Sequence, residues 1–138
     1  MIINVTKNNI IARMPIIALS FIERGRGMIG RDFTEFDAMV FNQCNSIHSL
    51  FMSINIDVLF LNSENIVCDL RKSLLPWRLI VRSSEATSVI ELPVGAIENS
   101  ETEIGDILDL NANMTEDVYK DVQKQLLSMP EAIIQMKE

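Results

Sequence analysis

Short apolar runs separated by polar turns fill most of the chain up to residue 110. Ile2–Val5 and Ile10–Arg13 are rich in β-branched residues, and the polar residues between them predict an opening β-hairpin. Pro15 suits the first turn of a helix, and the apolar positions after it predict an early helix that ends in a glycine-rich turn. Its apolar face would comprise Ile16, Leu19, Phe21 and Ile22.

Later runs change to the pattern of short buried strands. Asn62-Ser-Glu-Asn65 predicts a hairpin turn between two of them, and Pro93 to Ser100 predicts a turn that opens a short helical segment. The predicted strands cover residues 38–41, 56–61, 65–70, 88–92 and 106–110. Together these elements predict an α+β fold: a small β-rich domain, with a mixed sheet or a partly closed barrel and an early helix.

The segment after Leu110 has a helical pattern. Thr115 suits a helix N-cap, and Glu116 and Asp117 place negative charge in the first turn, which the helix dipole favours. The sequence therefore predicts a β-rich domain over residues 1–110 and a helical C-terminal extension over residues 111–138. An apolar stripe on this extension would pack on its own domain, or residues 115–136 would bind a second copy or a protein partner.

Composition excludes several classes of protein. A length of 138 residues indicates one domain, and a net charge of −7 with a pI near 4.7 argues against nucleic-acid binding. No apolar run approaches the roughly 20 residues of a membrane span. Two cysteines are too few for a disulfide framework, and the N-terminus lacks a secretory pattern, so we expect a cytoplasmic protein.

Six segments between roughly residues 10 and 110 form a combined pattern. They are Glu23-Arg-Gly-Arg-Gly-Met-Ile-Gly-Arg31, Cys44-Asn-Ser-Ile-His-Ser-Leu-Phe-Met52, Ile56-Asp-Val-Leu-Phe-Leu61, Leu75-Pro-Trp-Arg78, Val89-Ile-Glu-Leu-Pro-Val-Gly95 and Ile104-Gly-Asp106. Read together, they resemble a known family of small bacterial and archaeal proteins, domain-of-unknown-function family 192. This resemblance implies a compact β-rich fold with a helix packed on it, and it implies no known activity.

The single histidine, His48, limits the chemistry available to the chain. A three-histidine zinc site within one chain is impossible, and the cysteines Cys44 and Cys68 lack the paired spacing of a metal site. We therefore predict no metal and no cofactor. Cys44 and His48 have the chemistry of a nucleophile and its base, although nothing beside them predicts an oxyanion hole.

Polar residues set into apolar sequence mark a candidate site. Asn45, Ser46, His48 and Met52 precede Asp57, which lies inside an apolar strand and needs a partner there. We expect that partner to be a local donor: Arg24, Arg31, Arg78 or His48. Two interpretations stay open, because these groups would form either a buried network that pins a loop to the sheet or the lining of a small polar pocket.

Trp77 and Arg78 form a second candidate, since an aromatic face beside a guanidinium suits a sugar ring, a carboxylate or a phosphate. Alternatively, Trp77 fills the core at a Pro-Trp corner. The leading hypothesis is a binding module whose pocket takes a small polar or anionic ligand. Its predicted ligand-binding residues are Asn45, Ser46, His48, Asp57, Trp77, Arg78, Arg24 and Arg31.

Two alternatives belong to other functional classes. The first is a small hydrolase or lyase that uses His48 and Asp57 as an acid–base pair. The second is an accessory protein that acts through its C-terminal extension.

Overall fold

The computed structural model describes residues 1–20 and 26–112 together with Lys124 and Leu127, and β-strands form most of its regular structure. Its described elements, in chain order, are β1 (Ile2–Asn4), β2 (Asn9–Ala12), β3 (Pro15–Ile17), β4 (Ala38–Asn42), β5 (Ser46–Ile47), β6 (Ile56–Leu61), β7 (Val67–Leu74), β8 (Val81–Arg82), β9 (Ser88–Pro93), α1 (Ala96–Asn99) and β10 (Leu108–Asp109). The predicted strands at 38–41, 56–61 and 88–92 are confirmed to within a residue at either end.

A five-stranded sheet with the order β3-β4-β9-β6-β7 forms the centre of the fold. Strand β3 pairs in parallel with β4, and the other three pairings are antiparallel. Strand β9 lies between β4 and β6, so Glu91 has Met39 as its partner on one side and Val58 on the other. This register places an acidic side chain in the middle of the sheet.

Both faces of this sheet are buried at its inner strands β4, β9 and β6, which explains why β6 is apolar along its whole length apart from Asp57. One face carries Leu59, Ile90 and Leu92, and it packs against the three-stranded sheet β10-β1-β2 and helix α1. The other face carries Met39, Phe41, Val58, Phe60 and Val89, and it packs against residues from 28–36, 44–54 and β8. The candidate functional site lies on this second face.

A separate two-stranded sheet pairs β5 with β8, with Ser46 opposite Arg82 and Ile47 opposite Val81. The predicted opening hairpin is confirmed by the antiparallel pairing of β1 and β2. The hairpin turn at Asn62 is confirmed as well: its side-chain oxygen accepts hydrogen bonds from the backbone N–H groups of Glu64 and Ile66. Asn65 takes the positive φ of this turn, +58°, a conformation that asparagine tolerates in place of glycine.

The predicted α+β fold class is wrong. Residues 15–17 form an edge strand and not the start of an early helix, because Pro15 and the two isoleucines after it find a partner in β4. Among the described residues the helical element with defined bounds is α1, of four residues, and the three sheets close into no barrel. No helix in these ranges is long and apolar enough to cross a membrane. The predicted C-terminal helix lies outside the described residues, apart from 111, 112, 124 and 127.

Candidate functional site

A cavity of about 150 Å³ lies between the second face of the central sheet and the segments that cover it. Arg26 and Ser46 are exposed and line it, so the cavity reaches the surface. The inner wall is contributed by strands β4 and β9, through Phe41 and Glu91. The full lining comprises Arg26, Gly27, Phe41, Cys44, Ser46, Ile47, His48 and Glu91.

Glu91 is the most unusual residue of this cavity. Its exposed fraction is 2%, and burial raises the pKa of its carboxyl from 4.5 to about 8. Its Oε2 has no hydrogen-bond partner, and no Lys, Arg or His nitrogen within the described ranges lies within 4.0 Å of the carboxyl group. A buried carboxyl without a partner is costly, and such groups concentrate at functional sites.

Gly27 leaves room above the Glu91 carboxyl. Its φ is +50°, and a Cβ built on it would lie 3.5 Å from Glu91 Oε2 and 3.6 Å from Phe41 Cζ. Any side chain larger than a methyl group would therefore extend into the cavity or against the carboxyl. Glycine at this position therefore allows the positive φ and leaves the space above the Glu91 carboxyl open.

His48 faces the same cavity from the segment after β5. Its Nδ1 is buried and has no hydrogen-bond partner, as is the case for Glu91 Oε2. Pairing of Ser46 and Ile47 with β8 fixes the backbone just before it. The structure thus brings together two of the predicted site residues, Ser46 and His48, with a glutamate that the sequence interpretation had not singled out.

The Cys44 thiol lines this cavity too, but it is engaged locally. Its Sγ donates to the backbone carbonyl of Ser46 at 3.1 Å, and its N–H donates to the carbonyl of Thr87 at 3.1 Å. The thiol is therefore bonded to its own loop instead of to the imidazole of His48. Within the described ranges, no group of three His, Cys, Asp or Glu side chains has a geometry that suits a metal ion.

Asp57 is bonded by backbone N–H groups and not by the side-chain donors that we expected. Its Oδ1 accepts a hydrogen bond from the N–H of Ser73 at 2.8 Å, and its Oδ2 accepts from the N–H groups of Gly95 and Ile97, both at 3.1 Å. These contacts cap the start of α1 and tie β7 to it. The expected partners Arg31, Arg78 and His48 are thus replaced by backbone donors, whereas Arg24 lies outside the described residues.

Strand alternation separates Asp57 from His48. Asp57 is opposite Leu92, whose side chain belongs to the face covered by α1, whereas His48 lies with Glu91 over the other face. The predicted His48–Asp57 pair is therefore not assembled within one cavity. His48 shares its cavity with Glu91.

Trp77 and Arg78 lie in a loop that is anchored by Ser49. The hydroxyl of Ser49 accepts a hydrogen bond from the Arg78 N–H at 2.9 Å and donates to the Leu75 carbonyl at 2.7 Å. Trp77 is 61% exposed and packs edge-on against Phe51 with ring centroids 4.9 Å apart, so it does not fill the core. Neither Trp77 nor Arg78 lines the Glu91 cavity, and the same holds for the predicted residues Asn45 and Arg31.

Glu91 and four other residues that line the cavity are not among the candidate site residues that the sequence predicted: Arg26, Gly27, Phe41 and Ile47. Glu91 carried a readable signal, because an acidic residue within Val89-Ile-Glu-Leu-Pro93 breaks an apolar strand in the same way as Asp57 does. Arg26 carried a signal of its own, because it belongs to a loose basic group with Arg24 and Arg31, and Gly27 belongs to a glycine-rich segment.

Comparisons with known proteins identify the family but no activity. The sequence pattern of domain-of-unknown-function family 192, described as an uncharacterized ACR, matches residues 3–110. A UPF0127 protein of Pyrococcus furiosus is 39% identical over 113 residues, which cover 79% of this chain and 97% of that protein. A UPF0127 protein of Thermococcus sibiricus is 39% identical over 115 residues, or 79% of this chain and 73% of that protein.

A solved structure shares the fold at low sequence identity. A protein of unknown function from Novosphingobium aromaticivorans superposes with a TM-score of 0.60 at 16% identity, over 69% of this chain and 73% of that one. An identity this low supports the fold alone. Because the family pattern spans most of the chain, this protein belongs to domain-of-unknown-function family 192.

Proposed function

We propose that this protein is a small binding module whose ligand occupies the cavity between Glu91 and His48. The observation that carries the proposal is the pair of buried, unpartnered atoms, Glu91 Oε2 and His48 Nδ1, on residues that line one cavity. Buried polar atoms in native proteins nearly always have a hydrogen-bond partner. A ligand that bonds both atoms supplies the missing partners.

The dimensions and lining of the cavity define the ligand. Engineered cavities of about 150 Å³ hold a molecule as large as benzene, so a ligand of about six non-hydrogen atoms fits this one. Phe41, Ile47 and Gly27 provide apolar contacts, while Arg26 and Ser46 add polar groups near the surface. This combination of an apolar wall with a few convergent polar groups is typical of small-molecule sites and suits a small polar or anionic ligand.

The proposal is tested by mapping amide chemical shifts in the full chain while small probes are added. Acetate, acetamide, methylammonium and glycine sample the relevant charge states at a size that the cavity admits. We expect at least one probe to shift the amides of Gly27, Cys44 and His48, and we expect His48→Ala and Glu91→Gln to remove the effect. Glu98→Gln is the matched control, because Glu98 is an exposed carboxylate paired with Lys72 away from the cavity. Shifts that are absent, or that persist in both cavity variants, would contradict the proposal.

Acid–base catalysis on the cavity's occupant is a second candidate function, with Glu91 taking the role that the sequence suggested for Asp57. The observation that favours it is a carboxyl with a pKa of about 8 in the same cavity as an imidazole, since a catalytic acid works best when its pKa is near the working pH. Hydrolysis of p-nitrophenyl acetate offers a direct check. If Glu91 and His48 are catalytic, the protein hydrolyses this ester faster than the uncatalysed rate. The hydrolysis rate then falls in Glu91→Gln and His48→Ala and is unchanged in Glu98→Gln.

A further inference from the structure

Each of the two unpartnered atoms of the cavity accepts a hydrogen bond in one of its two protonation forms. Glu91 Oε2 accepts when the carboxyl is ionised, and His48 Nδ1 accepts in the tautomer that carries its proton on Nε2. One occupant that satisfies both atoms must donate at least two hydrogen bonds from a small volume. An ammonium group donates three.

The charge of the site points to the same kind of group. Glu91 is 2% exposed, and within the described ranges no cationic side chain lies within 4.0 Å of its carboxyl oxygens. A buried carboxylate is stabilised when an opposite charge lies beside it, whereas an anion would bind next to Glu91 only while Glu91 is protonated. A cationic donor thus supplies hydrogen bonds to Glu91 and His48 and also neutralises the charge of an ionised Glu91.

A positive group stands at the outer end of the same cavity. Arg26 is exposed, its Nε donates to the carbonyl of Ile29 at 3.1 Å, and in the described ranges no carboxylate lies within 4.0 Å of its guanidinium. Arg26 directly precedes Gly27, whose Cβ position is 3.5 Å from Glu91 Oε2. Arg26 and Glu91 therefore line one cavity, with Gly27 between the guanidinium-bearing residue and the carboxyl.

From this arrangement we infer that the cavity binds a small zwitterion of the amino-acid type, with its ammonium group on Glu91 and His48 and its carboxylate toward Arg26. This inference rests on the proposed function and adds the ligand's chemical class. The Glu91 carboxyl at the inner wall would face the ammonium group of such a ligand, and the Arg26 guanidinium at the exposed side would face its carboxylate. A volume of about 150 Å³ limits the ligand to the smallest members of the class.

The experiment compares four probes by calorimetric titration of the full chain: glycine, methylammonium, acetate and acetamide. We expect glycine to bind about tenfold or more tightly than methylammonium or acetate, since it alone carries both charges. Binding requires ionised Glu91, so the affinity for glycine rises as the pH increases from about 6 towards 8, by up to about tenfold per pH unit. Glu91→Gln abolishes both the binding and this pH dependence.

Arg26→Gln tests the outer contact. It is expected to remove the preference for glycine over methylammonium, whereas Arg78→Gln, an arginine outside the cavity lining, leaves that preference unchanged. Thermal unfolding of each variant confirms that it is folded.

The remaining outcomes separate the ligand class from the proposed function. If acetate or acetamide binds most tightly and depends on Glu91 or His48, the ligand class is wrong while the binding cavity stands. Glycine binding that survives in Glu91→Gln also overturns the inference. If none of the four probes binds or shifts a cavity amide, the proposed function fails together with the inference.

Discussion

Asp57 and Glu91 lie in adjacent antiparallel strands of one sheet, and their side chains are on opposite faces of it. The register pairs Asp57 with Leu92 and Glu91 with Val58, so the two acidic residues differ by one position and therefore by one face. Asp57 accepts three backbone hydrogen bonds, whereas Glu91 Oε2 accepts none. One sheet thus carries a hydrogen-bonded carboxylate on one side and, on the other, a carboxyl with an unpartnered oxygen in the wall of a cavity.

Replacing Glu91 with Gln should change the pH dependence of stability. Burial raises the pKa of the folded-state carboxyl from 4.5 to about 8, so the folded protein holds a proton that the unfolded chain releases between these values. The free energy of unfolding therefore falls as the pH increases from about 4.5 to 8, by at most a few kcal/mol. Glu91→Gln removes this loss, and we expect the variant to be more stable than the wild type at about pH 9.

Chemical denaturation at about pH 5, 7 and 9 measures this difference. Glu98→Gln is the control, because Glu98 is exposed and its substitution leaves the Glu91 contribution unchanged. An identical decline in stability with pH in the wild type and in Glu91→Gln would show that Glu91 is ionised in both the folded and unfolded chain.

Asp57→Ala should destabilise the protein without altering the cavity. The substitution leaves the N–H groups of Ser73, Gly95 and Ile97 without their acceptor, and the loss of a cap or of a buried partner costs about 1–3 kcal/mol. We expect a decrease of about 2–4 kcal/mol in the free energy of unfolding. The amide shifts produced by a cavity probe should be retained at a temperature where the variant is folded. Loss of those shifts in the folded variant would tie Asp57 to the site.

Local sequence patterns correctly predicted the strands whose own residues favour a buried strand, independently of the strands with which they pair. The apolar run Ile56–Leu61 forms β6, and all six of its residues are buried. The segment 15–17 was mistaken for a helix start because proline and the apolar spacing after it fit a helix, while its strand pairing depends on Ala38 and its neighbours, far along the chain. The sequence of a short segment does not show which distant strand it will pair with.

Part of the candidate site could be predicted from local sequence patterns. His48 and Ser46 were predicted, and Glu91 shows the pattern that drew attention to Asp57: one acid in an apolar strand. The sequence does not reveal which face each acid occupies, because a shift of one residue in register exchanges the two faces. Sequence proximity therefore favoured Asp57 as the partner of His48, whereas the fold places Glu91 in the cavity that His48 lines.

Gly27→Ala and Gly30→Ala form a matched pair that separates backbone strain from cavity shape. Both glycines have positive φ, +50° and +66°, so either alanine should cost about 1–2 kcal/mol of stability. Only at Gly27 does the new methyl group meet cavity atoms, 3.5 Å from Glu91 Oε2 and 3.6 Å from Phe41 Cζ, while Gly30 has nothing within 4 Å. We expect similar thermal destabilisation in the two variants and weaker probe binding in Gly27→Ala alone. Equal binding by both variants would indicate that a ligand does not use the space above Glu91.

Asp106→Asn should reduce the sensitivity of the fold to acid. Burial opposes ionisation of Asp106, but hydrogen bonds from Asn4, Lys7 and the Glu103 N–H outweigh it and lower the pKa of the carboxyl below 3.8. The stability that this ionised group contributes is therefore fully present above about pH 4 and is lost as the pH falls through the lowered folded-state pKa. At neutral pH, Asp106→Asn should cost about 1.5–3 kcal/mol, the usual range for a hydrogen bond to a charged group.

Urea unfolding at about pH 7, 4 and 2.5 measures the effect of Asp106→Asn. The difference in stability between the wild type and the variant should narrow towards the lowest pH, since Asp106 is then increasingly protonated in the wild type. Glu103→Gln removes the more exposed partner of the same lysine, and it should change stability little because exposed ion pairs contribute little. A constant difference across this pH range would mean that Asp106 stabilises the hairpin through its shape and neutral hydrogen bonds, independently of its charge.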